Sequence, residues 1–374
     1  MTVSVSSYAE VVAAALASLS AMSPARLRQT LSEREPEGVW SDISVGRANI
    51  RQLFSDEKFR QLQYEVRRFD IEDMRAQLNA YSMRVVTCIS DDFPAALRED
   101  GDKPPVLFLR GDVSILQRRM VAIVGTRRAT ASGRATATEL AEQLAAAGIV
   151  VVSGLALGVD TAAHRGAMRC GSTVAVVGCG LDRCYPARHQ AVFDEISEQH
   201  LVISEWPPGT APAPFRFPMR NRLISAFSEV VVVVESGDTG GSLITAREAL
   251  ERGRTVMAVP GSPRVATSSG TNALIRDGAA PVTSVGDVFD QLGLSTSHRP
   301  APQSTHRVQG MAVEIVHELS QESLTLNQLV ERMSTTIGEV VVAASELLRH
   351  QIITESNGWF ELSRSMLVSG KEHQ

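Results

Sequence analysis

Between positions 118 and 292 the chain alternates two kinds of segment. Short runs are mainly apolar, several ending in a polar residue or two: VAIVG, IVVVSG, TVAVVG, LVISEW, VVVVVES, TVMAVPG and PVTS. Longer segments rich in Ala, Leu and Glu lie between most of them. A strand buried on both faces loses the in–out alternation and reads as a continuous apolar run. Repeated strand–helix units of this kind predict an α/β fold, a doubly wound and mostly parallel sheet covered on both faces. Ligands of such sheets sit beyond the carboxyl ends of the strands.

The flanking segments have other periods. Residues 1–82 read as a small helical unit. AEVVAAALASL gives one helix, and SPARLRQTL a second, with Ser23 as cap and Pro24 at its first position. SDEKFRQLQYEVRRFDIEDMRAQLNAY gives one or two amphipathic helices. MRVVTC reads as a strand, and VLFLRG as a second short one, in a connector laid against the sheet domain that completes 83–292. Residues 293–310 form a polar linker rich in Ser, Thr, Pro and Gln. Residues 311–363 then offer three helices and a hairpin turning at Asn357–Gly358, the pattern of a winged-helix-like domain. The third helix carries Glu339 and Glu346, with Arg349 and His350 only at its end. That is poor chemistry for a DNA major groove and favours a protein contact.

Composition narrows the functional classes. The chain has 374 residues, 44% hydrophobic and 21% charged, as in a soluble globular protein of two or three domains. The net charge of −5 means that any polyanion contact must come from a local arginine cluster. Cys88, Cys170, Cys179 and Cys184 show no C-x-x-C spacing, which argues against a zinc ribbon or dithiol site. They read as reduced thiols, mostly buried, and no metal or cofactor is expected. Glu10 and the lack of a basic leader argue against a signal peptide, and no apolar run reaches bilayer length, so a cytoplasmic protein is expected.

The chemistry gathers after the predicted strands. In RRMVAIVGTRRATASGR, Gly125 and Thr126 open a loop carrying Arg127 and Arg128, and Ser132 suits the cap of the next helix. Backbone amides and a helix dipole there attract phosphate, unless the arginines are simply solvated. G-x-G-x-x-G and G-x-x-x-x-G-K-[ST] are both missing, so neither a dinucleotide fingerprint nor an ATPase loop is present here. In SGLALGVDTAAH, Gly154 and Gly158 suit close backbone approach. Asp160 and His164 share a helix face, as an acid–base pair or as a cap and a satisfied polar residue. The lack of a nearby nucleophile favours the second. Arg183, Arg188 and His189 follow the third strand and face either a polyanion or solvent. The segment WPPGTAPAPFRFPMRNR delivers Phe215, Arg216, Phe217, Arg220 and Asn221 together. Rings beside guanidinium groups suit an unpaired strand, with bases on rings and phosphates on arginines. Phe217 equally suits a core position. Arg220 and Arg222 point to opposite helix faces, so one, here assigned as Arg220, meets the ligand while the other pairs internally. Gly240, Gly241 and Ser242 open a further helix, where Ser242 and Thr245 either donate to phosphate or cap.

These motifs, IVGTRR, SGLALGVDTAAH, GCGLDRCYP, SEWPPG, FPMRNR, GGSLITA and AVPG, resemble the DNA-processing protein A family, also called DprA or Smf. The resemblance implies an extended Rossmann-like fold that binds single-stranded DNA and protects it on entry. It implies loading of a RecA-type recombinase during uptake of transforming DNA, homodimerisation through the Rossmann-like domain, and no catalysis. It assigns Gly125, Thr126 and Arg127 to a phosphate loop. Phe217, Arg220, Asn221 and Arg222 fall in its F-P-x-R-N-R motif, and Ser242 and Thr245 in its G-S-L-I-T segment. Arg188 and Arg216 stand where some members carry Lys. The alternatives are a hydrolase acting on a nucleoside phosphate and, less well supported, a nicotinamide oxidoreductase.

Overall fold

The structure, a computed structural model, describes residues 6–32, 34–294, 310–349, 352–356 and 358–362. Most of the expected linker (295–309), His350, Asn357 and Ser363 lie outside the described residues. By contact the chain forms two units, 1–299 and 300–374.

In the first unit, nine strands among the described residues form one sheet. They are β1 Met83–Thr87, β2 Val106–Gly111, β3 Met120–Val124, β4 Val150–Ser153, β5 Thr173–Val176, β6 Leu201–Ser204, β7 Val230–Val233, β8 Thr255–Ala258 and β9 Ala280–Pro281. Their order is β1-β2-β6-β5-β4-β3-β7-β8-β9. From β6 to β9 all neighbours are parallel, with Val121 opposite both Val151 and Val230. β1 and β2 add an antiparallel pair at one side of the sheet, with β1 at the edge and β2 pairing antiparallel with β6. The connector expected at 83–111 therefore extends the sheet itself. PVTS contributes only Pro281 to a strand.

Strand alternation divides the core into faces. Val121 and Ile123 pack with Ala137, Leu140 and Val159 from the helices Ala131–Ala146 and Val159–Cys170. Ala122 and Val124 pack with Leu223, Phe227 and Ala246 from the helices Arg216–Phe227 and Gly241–Glu251. The sheet is thus doubly wound, as the apolar runs require.

The N-terminal helices include the expected Tyr8–Ser18 and Pro24–Leu31, the latter capped by Ser23. The long amphipathic stretch breaks into Asp56–Arg68 and Ile71–Ala80, because Asp70 caps the second helix. Pro36–Val45 is a further helix that the pattern did not predict. These helices share one core with Val85, Phe108, Ala175 and Val202 of the sheet. Of the cysteines, only Cys179 is buried and Cys170 is exposed, against the expectation that most are buried.

The second unit has helices Met311–Gln321, Leu326–Met333 and Ile337–Arg349 around Ile315, Leu329, Val340 and Leu347. Three short antiparallel strands complete it, β10 Leu324–Thr325, β11 Ile353–Ser356 and β12 Trp359–Leu362, in the order β10-β12-β11. The third helix exposes Ile337, Val341, Val342 and Glu346. No helix among the described residues is long and apolar enough to cross a membrane.

Candidate nucleic-acid interface

Strand order reverses between β3 and β7, and the loops beyond their carboxyl ends flank the crevice where α/β sheets seat ligands. Here the crevice is occupied from within. The Thr126 N–H donates to the backbone carbonyl of Glu235 at 2.7 Å. The Glu235 carboxylate accepts from the Thr130 N–H at 2.9 Å and from its hydroxyl at 2.5 Å. That hydroxyl also accepts from the Gly133 N–H at 2.9 Å, so Thr130, not Ser132, caps the helix Ala131–Ala146. The expected phosphate position at this helix terminus is already filled by a carboxylate, and a ligand must use the outer part of the loop.

That outer part is cationic. Arg127, Arg128 and Arg188 are exposed, and none makes an ion pair among the described residues. The Arg127 guanidinium lies 5.2 Å from the centre of the Phe217 ring. Phe217 in turn stacks on Tyr185, with centroids 5.4 Å apart and planes 27° from parallel. Tyr185 is 45% exposed and Phe215, two residues before Phe217, is 60% exposed. Arg216 turns back over the Phe215 ring and donates to the Ala211 carbonyl. Guanidinium, ring and ring therefore follow one another at the rim, with Arg127 and Tyr185 exposed and Phe217 partly buried between them. The sequence pointed to Phe217 and Arg127 but treated Tyr185 only as a turn residue. Its place beside Arg188 in a strand-end loop was the available signal.

Beneath the rim, the loop after β4 is held with unusual completeness. Gly154 and Ala156 donate their N–H groups to Asp160 at 3.1 and 3.3 Å. The Leu155 N–H donates to His164 Nε2 at 3.3 Å, and His189 Nδ1 lies 3.0 Å from the Leu155 carbonyl. Thr161 donates to the Ala156 carbonyl at 2.5 Å, and Arg220 to the Gly154 carbonyl at 2.6 Å. All six backbone polar groups of residues 154–156 thus meet side chains. This network holds Leu155 at φ +56°, a conformation that costs a residue with a Cβ about 1–3 kcal/mol.

The network assigns roles. His164 Nε2 accepts, so Nδ1 carries the proton and donates to Thr173 Oγ1 at 2.7 Å, and Thr173 passes its own proton to the Val151 carbonyl at 2.7 Å. Burial, and next the nearby Arg220 charge, pushes the His164 imidazole down to about 3. Burial pushes the Asp160 carboxyl upward, against the pull of Arg220. Asp160 does not cap its helix, because Gly158 is the N-cap. Both residues tie the loop and neither reaches a substrate, since His164 is fully buried. His189 is buried as well and faces no polyanion.

Arg220 and Arg222 do point apart, but both are buried. Arg222 donates to Glu205 and to the Asp102 carbonyl, the internal pairing expected. Arg220 is 4% exposed, and its Nη1 donates to the Gly154 and Val176 carbonyls at the ends of β4 and β5. It braces two strand ends rather than presenting its charge, which corrects its assignment as the ligand-facing arginine. Burial lowers it to about 10, so it remains charged at neutral pH. Asn221 links the same helix to the next terminus, its Nδ2 donating to the Gly241 carbonyl at 3.3 Å. Ser242 is buried and donates to Ser236 Oγ at 2.9 Å. Thr245 is 1% exposed and packs inside its helix, so neither residue caps or reaches the surface. Gly241 remains exposed.

Gly158 places the cationic loop. At φ +78°, ψ −118° it takes a conformation that L residues rarely adopt, and a Cβ would strike the backbone of Thr126 and Arg127. Gly158→Ala is expected to lower stability by more than about 1 kcal/mol and to displace Arg127. Urea unfolding would check this; an unchanged midpoint would refute the contact.

Comparison with known proteins agrees with this architecture. The family model described as DNA recombination-mediator protein A matches residues 84–293. The DNA processing protein DprA of Bacillus subtilis is 41% identical over 205 residues, 54% of this chain and 69% of that protein. The X-ray structure of DNA processing protein A from Streptococcus pneumoniae superposes with a TM-score of 0.66 at 32% identity, over 76% of this chain and 98% of that one. The DNA processing protein A of Helicobacter pylori, whose structure is described in terms of its single-stranded DNA binding mode, gives 0.52 at 33% identity, over 56% and 95%. With its motifs, its sheet and its relatives in agreement, the chain belongs to the DNA recombination-mediator protein A family.

Proposed function

We propose that the chain binds single-stranded DNA without cleaving it, protects incoming strands, and hands them to a RecA-type recombinase. It acts in the cytoplasm as a homodimer formed through the Rossmann-like domain. The observation that carries the reading is the Arg127–Phe217–Tyr185 series, flanked by exposed Arg128 and Arg188. Unpaired bases stack on exposed rings, and their phosphates meet cations spaced along the rim. Duplex DNA keeps its bases stacked inward and has nothing to offer the rings. The Helicobacter pylori relative's single-stranded DNA binding supports the same substrate. The hydrolase alternative loses its proposed base, because His164 is buried, neutral and committed to Leu155 and Thr173. In the second unit, the winged-helix-like segment exposes Ile337, Val341 and Glu346, a surface for a protein rather than a DNA groove.

Single- and double-stranded oligonucleotides at fixed salt test the reading. The single strand should bind more tightly, with a log–log salt slope of about −2 to −3, for three or four phosphates at roughly −0.7 each. Equal affinity for both forms would remove the role given to the rings.

A further inference from the structure

We propose that Glu235 is a resident anion: its carboxylate takes the place of a ligand phosphate at the sheet's switch point, bars free nucleotides from that crevice, and presets the loop that carries Arg127. The part concerning DNA rests on the function proposed above. Glu235 lies two residues past the all-valine β7, after Val234, and is 9% exposed. Its two oxygens take the N–H and hydroxyl of Thr130, and its carbonyl takes the Thr126 N–H. One residue therefore fixes both ends of the loop 126–130, with Arg127 between them. The helix Ala131–Ala146 has no acidic residue in its own first turn, so the carboxylate that its dipole favours comes from the loop after β7 instead. The space is cut to this carboxylate, because a Cβ at Gly133 would overlap it. A nucleotide phosphate at this point would have to displace a buried negative charge. A polynucleotide meets no such barrier, since Arg127 faces outward to the rim.

The test uses anion rescue in the full chain. Thermal unfolding of Glu235→Ala is compared in sodium acetate and in sodium chloride at equal ionic strength. Glu235→Ala should unfold below the parent, and acetate should raise its Tm by about 2–4 °C while leaving the parent unmoved. Equal Tm for Glu235→Ala in acetate and chloride would overturn the proposal. If Glu235→Ala does not fold, Glu235→Gln keeps the size and an acceptor but lacks the charge. It should show a lower Tm and weaker single-stranded DNA binding, and parental values for both would overturn the proposal. In Glu235→Ala, acetate should also restore DNA affinity. Rescue of Tm without rescue of affinity would overturn the positioning of Arg127. Failure of the parent itself to bind single-stranded DNA would instead strike the proposed function and leave the acetate result standing.

Discussion

Phe217→Ala is expected to weaken single-stranded DNA binding by about 5- to 150-fold, the loss of one base stack worth roughly 1–3 kcal/mol. The salt slope should stay nearly unchanged, because a ring neutralises no phosphate. Arg127→Ala should also weaken binding, but with the slope falling by about 0.7, one counterion contact. The two side chains touch, with the guanidinium 5.2 Å from the ring centre, so the double variant should lose less than the sum of the single losses. Titrations at several salt concentrations separate the contributions. A slope that changes with Phe217 and not with Arg127 would reverse the two roles.

The second large effect is on acid stability. His164 is fully buried and held near 3, whereas an imidazole in the unfolded chain titrates near 6.5. Between these values the unfolded state binds a proton that the folded state refuses. The contribution is fully present above about 6.5 and is lost as pH falls towards 3, at about 1.4 kcal/mol per unit. His164→Gln keeps an acceptor for the Leu155 N–H but cannot take up charge. It should be less stable than the parent at pH 7.5 by about 1–3 kcal/mol, from poorer packing and hydrogen bonding. Its stability should then decline less steeply between pH 6.5 and 4.5. Urea midpoints across that range measure the difference. Parallel acid limbs in the two proteins would show that His164 is already charged in the folded state.

The central strands were legible because burial on both faces leaves an unbroken apolar run, and β3, Met120–Val124, falls on the run VAIVG. The cationic rim was legible because Arg127 and Arg128 follow a strand end, where the fold class directs attention, and Phe217 stands among arginines at the start of the helix Arg216–Phe227. Arg220 was harder. Its partners are the backbone carbonyls of residues 154 and 176, and a carbonyl leaves no mark in the sequence. Glu235 was missed for a related reason. An acid after a valine run reads as the end of a strand, and nothing local reveals that the amide and hydroxyl awaiting it belong to a residue 105 positions away. The cap at Thr130 followed the same contact, while Ser132 was the better candidate by local rules alone. Pro36–Val45 escaped because Gly38 and its β-branched residues weaken the helical pattern, and packing against Tyr8–Ser18 overrides that weakness.

If the proposed function holds, the two-sided covering of the sheet sets a size for the bound strand. With helices closing both faces, a strand of DNA has only the open edge of loops along which to travel. Strands β6, β5, β4, β3, β7 and β8 stand side by side there, and at about 4.8 Å per step they make a ledge of roughly 24 Å. On that reading one chain would cover a few nucleotides, and a longer grip would need more than one copy on the same strand.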